Sequence, residues 1–114
     1  MMNTLPSVNT DELRTAIALG LPVVALVTSP TCGHCRTAKT LLEAAIAPAY
    51  EGKVTFVQID TIQQPDLVNR LVPGLRAVPS HLFLVDRAIK GRLDGAGPVP
   101  EVRKWIDSLL APPA

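Results

Sequence analysis

With 114 residues, 11 basic against 10 acidic side chains and a net charge of +1, the chain has neither the basic field of a nucleic-acid binder nor an acidic tail. That length suits a single domain, residues 1–114, able to bury about two-thirds of its unfolded surface. Two cysteines are too few for a secreted disulfide scaffold, and they leave the compartment unread.

Taken in order, Leu5 to Val8 reads as a short first strand that Pro6 confines to a sheet edge. Asn9 and Glu12 have the spacing of a capping box, Leu13, Ala16 and Ile17 form an apolar stripe, and Gly20 stops that helix. Pro22 to Thr28 is continuously apolar and β-branched, the pattern of a central strand buried on both faces. Ala16 to Val27 imitates an export signal after Arg14, but Asp11 and Glu12 precede it and Gly20 and Pro22 interrupt it. The expectation is a cytoplasmic chain without leader or membrane segment, although a mature form trimmed of a leader would read the same.

Beyond the strand stands Cys32-Gly33-His34-Cys35. Ala38, Leu41, Leu42, Ala45 and Ile46 then recur at helical spacing until Pro48, predicting the longest helix of the chain. Lys53 to Asp60 reads as a second buried strand, and Pro65-Asp66 opens a short helix that Pro73-Gly74 breaks. His81 to Val85 and Ile89 to Leu93 predict an antiparallel hairpin, because Asp86-Arg87-Ala88 is too short for a crossover. A last helix starts at Pro100, packs Val102, Trp105, Ile106 and Leu109 inward, and ends at Pro112-Pro113. Strands separated by helices predict right-handed parallel crossovers, then the hairpin and a covering helix. The fold class is α/β, a mixed sheet of four or five strands with helices on both faces.

In the first turn of a helix Cys32 and Cys35 share a face, so their side chains can close a disulfide with little backbone movement. Cys32 sits where unpaired N–H groups and the positive helix end stabilise a thiolate, the nucleophile of disulfide exchange. Cys35, one turn inside, is placed to resolve a mixed disulfide. Structural zinc takes four ligands, and beyond Cys32, His34 and Cys35 only His81 remains as a soft donor, so no metal is expected. Haem attachment needs a histidine where Arg36 stands. A purely structural disulfide closing so small a loop gains little. His81 reads as a partly exposed sheet-edge histidine rather than a ligand, and Trp105 as packing.

The chain resembles the thioredoxin-fold thiol–disulfide oxidoreductases from about Val8 to Leu110. The Cys32–Cys35 motif carries the likeness, its inner pair Gly33-His34 being that of protein disulfide isomerase active domains. Gly74-Leu75-Arg76-Ala77-Val78-Pro79-Ser80 is similar to the family segment whose proline is cis and lies against the disulfide, and Gly95-Ala96 to the loop bordering the substrate groove. The resemblance implies Cys32 as nucleophile, Cys35 as resolving thiol, and Gly33 and His34 as tuning residues. It also implies a substrate surface made by Thr31, Val78, Pro79, Gly95 and Ala96, with the Val78 backbone pairing with substrate. Protein or small-molecule disulfides and a redox-recycling partner are expected to meet a monomer that needs no cofactor.

Several positions depart from the family. Thr31 replaces the usual tryptophan, and Leu26 stands where many members carry a buried carboxylate. Apolar Thr55-Phe56-Val57 replaces a buried lysine, and Thr40 a kinking proline. Without that carboxylate no internal base for Cys35 is visible, so its attack should depend steeply on pH. A cationic His34 stabilises the reduced site and raises the potential from about −270 mV toward about −180 mV. A binding or docking module with little turnover, holding a partner or metal through the cysteines, is the alternative from another class.

Overall fold

The computed structural model describes residues 5–75 and 77–110, so Arg76 and the Pro112-Pro113 ending lie outside the described residues. Helix α1 (Thr10–Ala18) leads to strand β1 (Val23–Thr28) and helix α2 (Gly33–Leu41). A π turn (Leu42–Ile46) and a 3-10 turn (Ala47–Tyr50) follow, then β2 (Thr55–Asp60), α3 (Pro65–Leu71), β3 (Ser80–Val85), β4 (Ala88–Asp94) and α4 (Val99–Leu110). One four-stranded sheet has the order β2-β1-β3-β4. β1 runs parallel to β2 and antiparallel to β3, and β3 and β4 form the hairpin.

Each face of β1 feeds its own core. Val23, Ala25 and Val27 pack under α1 and α3 with Leu13, Ala16, Leu67 and Val68. Val24 and Leu26 pack under α2 and α4 with Ala38, Leu42, Val102 and Ile106. Burial on both faces is why the strand tolerates no polar alternation. Asn9 caps α1 reciprocally with Glu12, as the spacing predicts. None of the described helices is long and apolar enough to cross a membrane.

Four expectations are corrected. Leu5–Val8 is not a fifth strand but an isolated parallel bridge, Ser7 to Gln58, flanked by Val8 N–H to Gln58 O at 3.0 Å and Gln58 N–H to Pro6 O at 2.9 Å. Pro6 has no N–H to extend the ladder. The α2 helix stops at Leu41 rather than running to Pro48, which leaves α4 as the longest α-helix at 12 residues. Pro48 cannot donate to the preceding turn and crowds it, so the path widens into a π turn and then tightens. The link from β2 to β3 is no parallel crossover: α3 is about 10 Å long at helical rise, and β3 starts at the sheet end where β2 stops and runs antiparallel to β1.

The fourth correction is His81, which is not at an edge. β3 is an interior strand, and the residue is 0% exposed. Its Nδ1 lies 3.2 Å from Leu93 O, its ring meets the edge of Trp105 at 6.1 Å, and Nε2 has no partner among the described residues. Trp105 also packs edge-on against Phe83, the packing role expected of it.

Candidate active site

β1 ends at Thr28, and Ser29-Pro30-Thr31 turns the chain into α2. The Cys32 N–H donates to Ser29 O at 3.3 Å and closes that turn. Cys32 is the N-cap, extended at φ −101° and ψ 117°, and its Sγ accepts the Cys35 N–H at 3.1 Å. A sulfur thus fills the place that a serine or aspartate oxygen usually takes, and it satisfies one of the free donors of the helix start.

The two cysteines are unbonded and differ in access: Cys32 is partly exposed and Cys35 is 1% exposed. Burial pushes the Cys35 thiol above its ordinary value, and the neighbouring Cys32 sulfur adds to the effect. Gly33 and His34 are exposed in the first turn. Leu26 is wholly buried beside Ala38, so the apolar wall under α2 offers Cys35 no ionisable group from that position.

Residues 77–79 come up against this pair. The Cys32 thiol donates to Val78 O at 3.8 Å, and the Val78–Pro79 peptide is cis, the isomer the resemblance implies. Gly95, at φ 101°, donates its N–H to Pro79 O at 2.9 Å. The structure therefore brings Cys32, Cys35, Val78, Pro79 and Gly95 together. Ala96 packs instead against the α2–α4 core. Thr31 is exposed, with its hydroxyl 3.3 Å from that of Ser29.

Three features escaped the sequence reading. Beside Val78 opens a groove of about 420 Å³ with Val68, Val72, Leu75 and Val78 in its wall and Thr61 and Asn69 among its polar residues. Apolar residues of α3 signalled a core, but which of them border a cleft depends on the return path of 72–79. Second, Ser80 Oγ lies 2.5 Å from Asp94 Oδ1, and Arg92 Nε donates to the same carboxyl at 2.8 Å. The guanidinium, helped by Ser80, holds that carboxyl below its ordinary value. Arg92 and Asp94, two apart on a strand, were a visible same-face pair; their register with Ser80 was not. Third, a cavity of about 220 Å³ opens behind the pair, and its wall includes Cys35, Thr28, Gln58 and Asp60.

The thioredoxin family model matches residues 5–108. The chain is 28% identical over 107 residues to Thioredoxin M4, chloroplastic, of Arabidopsis thaliana, covering 93% of this chain but 54% of that protein. It thus spans about half the length of that relative. It is 32% identical over 90 residues to Thioredoxin 1 of Nostoc sp. strain PCC 7120, covering 79% of this chain and 81% of that one. A chain solved in a study of the thiol-resolving mechanism of yeast mitochondrial 1-Cys peroxiredoxin via glutathione/thioredoxin systems superposes with a TM-score of 0.78 at 24% identity, covering 95% and 99% of the two chains. A family match over nearly all of the chain, a relative similar along most of both sequences and a shared fold agree: the chain belongs to the thioredoxin family.

Proposed function

We propose that the protein is a thiol–disulfide oxidoreductase that works through a mixed disulfide on Cys32. The Cys32 thiolate attacks a substrate disulfide, forming a Cys32–substrate bond and releasing one substrate thiolate, which takes up a proton. Cys35, deprotonated, then attacks Cys32 Sγ, releases the second substrate thiolate and leaves the Cys32–Cys35 disulfide. The substrate gains two electrons and the cysteine pair loses them; a dithiol-bearing recycling partner restores the pair, and the reverse sequence oxidises a substrate.

One observation carries the reading: Cys32 Sγ accepts a helix-start N–H at 3.1 Å while facing the Val78 carbonyl at 3.8 Å. The N–H holds the sulfur at the helix start, turned toward the groove. The Val78 backbone would pair with an extended substrate as an added strand, and the groove beside it would take an apolar substrate side chain. Thr31, Gly95 and Ala96 would border that segment. Gly33 lets it approach, and His34 would tune the thiolate.

Turnover of insulin disulfides by dithiothreitol tests this. The wild type accelerates reduction, and Cys32→Ser abolishes the acceleration. Equal rates for wild type and Cys32→Ser would favour the docking-module reading instead.

A further inference from the structure

A buried thiol must lose its proton before it attacks. Cys35 is 1% exposed and its burial raises the energy of the thiolate. Leu26, beneath α2, is no base. The cavity of about 220 Å³ behind the pair has both Cys35 and the carboxylate-bearing Asp60 in its wall. Asp60 is the last residue of β2 and the register partner of Thr28, where β1 runs into the cysteine turn. One of its oxygens, Oδ1, is held by the Ile62 N–H at 2.7 Å and the Gln63 N–H at 3.1 Å. The carboxylate is therefore fixed in orientation. Oδ2 takes part in none of these bonds and is left to accept a proton.

The other charged groups on the cavity wall are Arg36 and Lys39, both from α2. Lys39 also lies 3.8 Å from Glu43, and neither cation is within 4 Å of Asp60. Thr28 and Ser29 from β1 and the following turn, and Gln58 from β2, are uncharged. The wall is mixed, but Thr28, Ser29, Gln58 and Asp60 offer polar partners, and the space is large enough to hold water, which needs only about one probe sphere and two to four such partners.

We propose that Asp60 is the proton acceptor for Cys35, taking the thiol proton through water in the rear cavity during the resolving step. This rests on the exchange reaction proposed above. Cys35–SH gives its proton by way of water to the Asp60 carboxylate; the Cys35 sulfur forms a bond to Cys32 Sγ, and the Cys32–substrate bond breaks. The departing substrate thiolate then draws the proton back from the carboxylic acid, directly or through solvent, so Asp60 is regenerated and charge balances.

The test is a pre-steady-state measurement with a fluorescent peptide disulfide, which resolves mixed-disulfide formation from its resolution across pH 5.5 to 9. Asp60→Asn keeps the Oδ1 acceptor for Ile62 and Gln63, so the turn is preserved. It should slow resolution about tenfold or more at pH 7, with the deficit closing at high pH where hydroxide removes the proton. Formation of the mixed disulfide by Cys32 should be unchanged, and Asp60→Glu should restore part of the resolving rate. A resolving rate and pH profile in Asp60→Asn equal to wild type would overturn the assignment, as would an equal loss in both steps. Failure of mixed-disulfide formation in the wild type itself would instead strike at the oxidoreductase reading.

Discussion

Replacing His81 by leucine should remove an acid sensitivity built into the core. The ring is 0% exposed on the interior strand β3, and Leu93 O at 3.2 Å can only accept, so Nδ1 carries the proton and Nε2 is buried with no partner among the described residues. Burial holds the imidazole below its ordinary value of 6.5, and the more distant Asp94 charge only partly opposes this. The unfolded chain therefore binds a proton that the folded chain refuses. Stability is complete above about pH 6.5 and is lost as pH falls toward the lower folded value, at no more than about 1.4 kcal/mol per pH unit. Asp94, whose carboxyl is lowered from 3.8, loses its contribution only in a more acidic window. Urea denaturation at pH 7.5, 6.5 and 5.5 reads the difference. Wild type should lose up to about 1.4 kcal/mol between the last two, whereas His81→Leu, near wild-type volume, should stay flat in that interval. The variant leaves Leu93 O without its side-chain donor, so at pH 7.5 it should lie within about 1–3 kcal/mol of wild type. Parallel pH slopes for the two proteins would refute the reasoning.

Alkylation of the reduced protein with iodoacetamide should modify Cys32 first, Cys35 reacting appreciably only at higher pH or on unfolding, because the latter is buried with its thiol pushed up. First modification at Cys35 would reverse the assigned roles. His34→Pro should lower the reduction potential in an equilibrium titration against glutathione; an unchanged or higher value would make His34 a surface residue without influence on the thiolate. Asn9→Ala removes the side-chain half of the capping box and should cost about 1 kcal/mol in denaturant unfolding.

The sequence was legible where local chemistry decides. The apolar run of β1, the Asn9–Glu12 box and the thiol pair at a helix start each carry their signal within a few residues, and the structure places them as read. Illegible were the features set by strand order and return paths. His81 differs from an edge residue because β3 inserts between β1 and β4, a placement signalled only by the apolar run Leu82–Val85 that follows it. The direction of β3 depends on how the chain turns back after α3, and the placing of Asp60 and Cys35 on one cavity wall depends on the β1–β2 register. Pro48 does not mark the end of α2 that the spacing predicts; it lies in the first turn of the 3-10 segment Ala47–Tyr50, after α2 has already given way to a π turn at Leu42.

The division of labour between the two cysteines is the claim on which the account stands. Incubating Cys35→Ser and Cys32→Ser separately with a peptide disulfide, quenching in acid and mapping adducts by mass spectrometry tests it directly. The account predicts a stable mixed disulfide on Cys32 in Cys35→Ser, accumulating because no resolving thiol remains, and little adduct on Cys35 in Cys32→Ser. Equal adducts on both cysteines, or an adduct forming preferentially on Cys35, would contradict it.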